Sequence, residues 1–195
     1  MLIVPRRTYG VPTVLLLVAA TDRELCGRDG LVCGVGPVEA AAATARALAL
    51  HPVEGLLHVG IAGARGLEPG TVVVGSASVY ADLSAEWPVV ERVEGDPTLV
   101  ASALEALPGA VASPIVTSAA VGGAVTAAAG GPLVEAMEGF GVLRAAALAG
   151  VPALEVRAIS NAIGEADRSR WSVAGALDAI EESIPVLLSV FERAG

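Results

Sequence analysis

Glu24, Glu135, Glu138 and Asn161 are the side chains best placed for proton and hydrogen-bond chemistry. Each stands at the edge of a short apolar run. Glu24 follows the run that ends at Ala20. Glu135 and Glu138 bracket Met137 in VEAMEGF, residues 134–140. Asn161 ends VRAISN, residues 156–161. A carboxylate at a strand end can take a proton from water. Two carboxylates three residues apart share a face when the segment is helical. An ionised one can accept two hydrogen bonds from vicinal hydroxyls. Each group also has a plain structural reading. Glu24 suits a helix start, the glutamate pair a solvated face, and Asn161 a turn. VEAMEGF is nevertheless a poor surface sequence, because Met137 and Phe140 interrupt its charges.

The elements that must hold these groups alternate in type. Residues 14–19 read as a buried strand. Residues 31–33 form a second apolar run, closed by Gly34-Val35-Gly36-Pro37. Pro37 suits the first turn of a helix over 37–50, which is rich in Ala and Leu. Residues 56–59 read as a short strand running into a glycine turn, GIAGARG, at 60–66. A strand over 71–80 follows. Asp96-Pro97 opens a helix to Leu107, and 111–117 is a strand. The small residues of 118–132 predict a mobile loop. A helix over 138–149 ends at Gly150, and 153–159 is a strand. A long helix over 171–193 contains Pro185, a bend signal. This alternation predicts a layered α/β fold with a mainly parallel sheet and ligands at the carboxyl ends of strands. TDREL, GIAGARG and SNAIG all fall at such ends. No repeat or linker interrupts residues 1–195, so a single domain is expected.

Composition removes several functions. Of the 195 residues 54 % are hydrophobic and only 3 % aromatic, so an Ala, Val and Leu core is expected. The net charge of −9, with no Lys/Arg-rich run, argues against nucleic acid as a partner. The apolar run 14–20 is too short to span a bilayer, so no membrane role is expected. It resembles a signal peptide but is equally explained as a first strand. Cys26 and Cys33 read as reduced thiols, which fits a cytoplasmic setting. His51 and His58 lack a second ligand pair, so no metal is expected. Gly34-Val35-Gly36 lacks the third glycine of a dinucleotide fingerprint. GIAGARG leads to another strand, where a pyrophosphate site needs a helix N-terminus.

Taken in order, AATDREL (19–25), GVGPVEAA (34–41), HVGIAG (58–63), VEAMEG (134–139) and VRAISN (156–161) resemble the nucleoside phosphorylase and nucleosidase superfamily. The resemblance runs from about Val14 to Trp171. It implies a three-layer α/β/α sandwich with a central mixed, mainly parallel sheet, usually in a homodimer or larger homo-oligomer. It implies a small-molecule nucleoside substrate and no cofactor. Residue by residue, Glu24 becomes the base that activates water, Met137 the floor under the ribose, and Glu138 the anchor of its hydroxyls. Ala62 and Gly63 line the base pocket through backbone groups. Asn161 faces the purine, with Ser160 and Arg157 in support. The match also assigns residues 14–20 to the first strand, against cleavage as a signal peptide.

Hydrolysis is favoured over phosphorolysis. A phosphate dianion needs cations, and arginine is the usual device. Phosphorylases of this superfamily carry an Arg just before the central glycine run, where this chain has His58. Asp22-Arg23-Glu24 is acidic, which suits water activation. Arg65 keeps the phosphorylase alternative open. Nucleosidases that cleave 6-aminopurine thioethers carry Asp at the position of Asn161. An amide instead donates to O6 of a 6-oxopurine and accepts from N7–H, so a hypoxanthine-type leaving group is expected. Ala136 stands where the family more often has Asn. No counterpart of the base-stacking aromatic is visible in SAAVGGAVTAA, where Val121 or a neighbour is the expected replacement.

Overall fold

The computed structural model describes residues 4–5, 14–83, 85–120 and 133–194. Its strands are β1 (Val4–Pro5), β2 (Val14–Ala19), β3 (Leu31–Val32), β4 (Gly55–Arg65), β5 (Val72–Tyr80), β6 (Arg92–Glu94), β7 (Val111–Thr117), β8 (Leu133–Ala136) and β9 (Ala153–Ala162). Its helices are α1 (Pro37–Leu50), α2 (Pro97–Ala106), α3 (Gly139–Ala149) and α4 (Val173–Ala194).

Local chemistry places the helices where expected. Pro37 sits in the first turn of α1, where its missing N–H costs nothing. Asp96 caps α2, its Oδ1 accepting from Thr98 N and Leu99 N, both at 3.0 Å. Gly150 ends α3 in the left-handed conformation. α4 runs through Pro185.

The sheet is mixed. β2 pairs parallel with β3 and β4, β4 with β9, and β5 with β7, which pairs parallel with β8. β1–β2, β4–β8, β5–β6 and β5–β9 are antiparallel. Because β4 and β5 are joined both through β8 and β7 and through β9, part of the sheet closes on itself. Ala62, Ala64, Val73, Ile115, Val134, Ala136 and Ile159 pack together inside this closed part. α1 and α3 cover one face of the open sheet, over Leu16, Val18 and Leu56. α2 and α4 cover the other, over Leu57, Val59 and Val156. The result is the three-layer α/β/α arrangement. Cys26 and Cys33 are both free thiols, and burial pushes Cys33 up to about 12.

Two expectations are corrected. GIAGARG is no turn: β4 continues through it to Arg65. Its glycines serve close packing. A Cβ on Gly60 would collide with the Arg157 guanidinium and lie 2.7 Å from Glu24 Oε1, while one on Gly63 would lie 3.1 Å from Asn161 Nδ2. Second, Glu135 and Glu138 do not share a helix face, since Glu135 lies in β8 and Glu138 is the N-cap of α3. The loop expected over 118–132 lies outside the described residues from 121 onward, and Val121 with it.

Candidate active site

A cavity of about 730 Å³ opens at the carboxyl ends of β2, β4, β8 and β9. Glu24, Ala62, Gly63, Met137, Glu138, Ser160 and Asn161, all predicted site residues, line it. Arg157 is not in the wall. It lies fully buried beneath.

At one end the groups are charged and tightly bonded. The turn after β2 carries Glu24 back over the sheet. Its Oε2 accepts from Thr21 N at 3.1 Å and Thr21 Oγ1 at 2.9 Å, and its Oε1 from Ile61 N at 3.1 Å. Three donors thus fix the carboxylate's orientation. Glu138 leaves its own helix uncapped. Its Oε1 accepts from Gly36 N at 3.2 Å, at the N-terminus of α1, where a negative charge is favoured. Gly36 has φ +96°, a conformation that glycine adopts without strain.

Arg157 ties this end together. Its Nε donates to Glu155 Oε1 at 3.0 Å, and its Nη2 donates to Glu138 Oε2 at 3.4 Å and to His58 Nε2. His58 Nδ1 lies 3.1 Å from the Val18 carbonyl. A carbonyl only accepts, so Nδ1 carries the proton and Nε2 is free to accept. Burial, and then the Arg157 charge, push the His58 imidazole well below its ordinary value, which keeps it neutral. Burial pushes Glu155 up, and Arg157 opposes the shift. Burial works against the Arg157 charge, but Glu155, Glu138 and Glu24 outweigh it and raise its pKa. Nη1 of Arg157 has no partner among the described residues and points toward the bare Cα of Gly60. Arg157, expected to support Asn161, instead bonds the glutamate side. β9 alternates, and Glu155 and Arg157 fall on one face together.

At the other end stands an amide. Between β4 and β9 the register slips: Ala62 pairs with Ile159, and Gly63 with Asn161. Ser160 is the extra residue of this bulge. Alternation alone would send Asn161 to the face of Ile159, inside the closed sheet. The bulge returns it to the face of Gly63 and the cavity. Asn161 Nδ2 donates to the Ala162 carbonyl at 3.0 Å, which fixes which end of the amide is nitrogen. Its Oδ1 accepts from Ser160 Oγ at 2.7 Å. One N–H and one oxygen lone pair remain open.

Further residues complete the lining. Trp171 is the aromatic of the lining, held by its Nε1 to the Glu165 carbonyl at 3.1 Å, with the Arg168 guanidinium 5.7 Å from its ring centre. Arg23 and Arg168 line the cavity, whereas Arg65 does not. Glu135 also lines it, and burial raises its carboxyl, with Ser118 opposing and Asp82 adding to the rise. Among the described residues no cluster of His, Cys, Asp or Glu is arranged to hold a metal ion. No described helix is long and apolar enough to cross a membrane.

A closed mixed sheet between helical layers thus carries glutamates and an amide around one cavity. The chain belongs to the Phosphorylase superfamily, whose family model matches residues 30–193. It is 40 % identical over 190 residues to the futalosine hydrolase of Streptomyces coelicolor, covering 85 % of this chain and 80 % of that one. It is 35 % identical over 192 residues to the futalosine hydrolase of Acidothermus cellulolyticus, covering 87 % and 78 %. Among solved structures, the 5'-methylthioadenosine/S-adenosylhomocysteine nucleosidase of Colwellia psychrerythraea in complex with adenine superposes with a TM-score of 0.78. That match has 18 % identity and covers 90 % of this chain and 94 % of that one.

Proposed function

We infer that this chain is a futalosine hydrolase, cleaving the N-glycosidic bond of futalosine to release hypoxanthine and dehypoxanthine futalosine. Its relatives' names support the substrate. The observation that carries the choice of base is the oriented amide of Asn161. Its open N–H suits O6 of hypoxanthine, and its open oxygen suits N7–H. A 6-aminopurine would set N–H against N–H there, and buried polar groups would go unpaired. In this reading the step lies on a route to menaquinone.

In the proposed reaction the sugar–base bond breaks ahead of attack, with oxocarbenium character on the ribose. Asn161 stabilises the departing base by hydrogen bonding and transfers no proton; N7 takes its proton from solvent as the base leaves, and the proton that Glu24 accepts returns to solvent, so the overall step consumes one water. Glu24 takes a proton from the water that adds to C1′. Glu138 accepts from the 2′- and 3′-hydroxyls, a contact that tightens as the ring flattens. Arg157 positions Glu138, and its open Nη1 faces the same spot beside Gly60 as Glu24 Oε1. The neutral, buried His58 offers no charge to phosphate, which supports water as the nucleophile. Arg168, in the wall beside Trp171, suits the benzoate of futalosine better than Arg144 or Arg170, which lie outside the lining.

The test is a panel of futalosine, aminofutalosine, inosine and methylthioadenosine, each with and without phosphate. Hypoxanthine release from futalosine, independent of phosphate, is the expected result. Preference for methylthioadenosine, or a phosphorylated sugar product, would overturn the reading.

A further inference from the structure

Glu155 takes no part in the reaction above, yet it is a fully buried acid beside the groups that do. It is absent from the cavity lining. Arg157 Nε donates to its Oε1 at 3.0 Å, and its Oε2 has no partner among the described residues. The carboxylate also packs against Gly139, the first residue of α3, directly after Glu138. A Cβ on Gly139 would collide with both of its oxygens. An arginine in a protein does not give up its proton, so the guanidinium is a fixed charge. Burial raises the Glu155 carboxyl, Arg157 and then Ser78 oppose the rise, and Glu138 adds to it. Two glutamates thus compete for one cation.

The distances show which of them prevails. Nε serves Glu155 at 3.0 Å, Nη2 serves His58 Nε2, and Glu138 Oε2 receives a single bond at 3.4 Å. An arginine left to one carboxylate commonly grips it through two parallel bonds. The other bond to Glu138, from Gly36 N to Oε1, is 3.2 Å long. A carboxylate has about four lone-pair sites, so about two stay open on Glu138, enough for a vicinal diol.

Resting on the reading of Glu138 as the ribose anchor, we propose that Glu155 is a positioning residue for sugar recognition. It draws the Arg157 charge away from Glu138, while His58 occupies an N–H of Nη2. Glu138 is thereby kept open for the 2′- and 3′-hydroxyls. Without the Glu155 charge, the guanidinium is free to turn, close a two-bond pair with Glu138 and withdraw that carboxylate from the sugar.

Kinetics of futalosine and its 2′-deoxy analogue with the wild type, Glu155→Gln, Glu155→Asp and His58→Leu test this. The readout is the ratio of kcat/KM for the two substrates, compared between each variant and the wild type. The intrinsic reactivity of the deoxy sugar cancels in that comparison. Glu155→Gln keeps the shape and the acceptor for Nε but loses the charge. It should lower the futalosine-to-deoxy ratio by about tenfold, the scale of a hydrogen bond to a charged acceptor. Glu155→Asp keeps the charge and should hold the ratio close to that of the wild type. His58→Leu removes the other competitor for Nη2 and should lower the ratio too; it carries the test should Glu155→Gln fail to fold. Equal losses on both substrates, or an unchanged ratio, would overturn the proposal and leave the hypoxanthine reading intact. A wild type that releases no hypoxanthine from futalosine would overturn both.

Discussion

Around Arg157 nearly every charge meets an opposite charge or a donor: Glu138, Glu155 and Glu24 surround one guanidinium, and His58 is held neutral to accept from it. Around Asn161, at the other end of the same cavity, hydrogen-bonding capacity is left open. The first region has its charges balanced before any ligand arrives, as electrostatic stabilisation of a transition state requires, while Arg157 Nη1 and Glu155 Oε2 stay open. The second is incomplete alone, as recognition of a particular base requires. Rate and selectivity should therefore come apart under mutation.

Glu24→Gln is expected to have the largest effect, a loss of about 10²–10⁴ in turnover measured by hypoxanthine release. Full activity in that variant would remove Glu24 from the chemistry. Arg157→Met strips the glutamates of their counter-charge. It should cost about 3–5 kcal/mol of stability in denaturant unfolding; a shift below about 1 kcal/mol would mean that the charges are not mutually dependent. Asn161→Asp should leave stability nearly unchanged and move preference toward 6-aminopurine nucleosides by about 10²-fold or more, read from paired kcat/KM values. An unchanged ratio would break the division between the two regions.

Gly139→Ala probes the packing below them. A Cβ there would strike the Glu155 carboxylate, so a loss of about 1–3 kcal/mol is expected from melting or denaturant curves. The smallest effect is that of pH. His58 is pushed below its ordinary value of 6.5 in the fold, so the unfolded chain binds the extra proton. Stability should fall as pH drops below 6.5, by up to about 1.4 kcal/mol per unit for one proton. Comparison with His58→Gln isolates that contribution; identical slopes would show that the imidazole does not titrate differently on unfolding.

The helices were legible because their ends are chemical. Pro37, Asp96-Pro97 and Gly150 each mark a boundary by what they cannot or can bond. The glycines of GIAGARG were misread because a glycine that breaks a strand and one that admits a neighbour's side chain look alike in one dimension. Only the fold reveals that Arg157 and Asn161 lie over Gly60 and Gly63. The resemblance implies Arg157 as a support of Asn161, but two-residue alternation joins it to Glu155 and, across β4, to His58. Glu135 was read as helical because VEAMEG and the following helix form one continuous signal. The strand β8 is defined by its partners β4 and β7, which sequence does not name.

The insertion at Ser160 carries a consequence for how such a pocket could be lost or remade. Shortening β9 by one residue there would leave composition, core volume and neighbouring contacts almost the same, yet would swing the carboxamide from the substrate side into the hydrocarbon interior. Chain length at a single point, as much as the identity of the residue after it, decides whether the nucleobase is read at all.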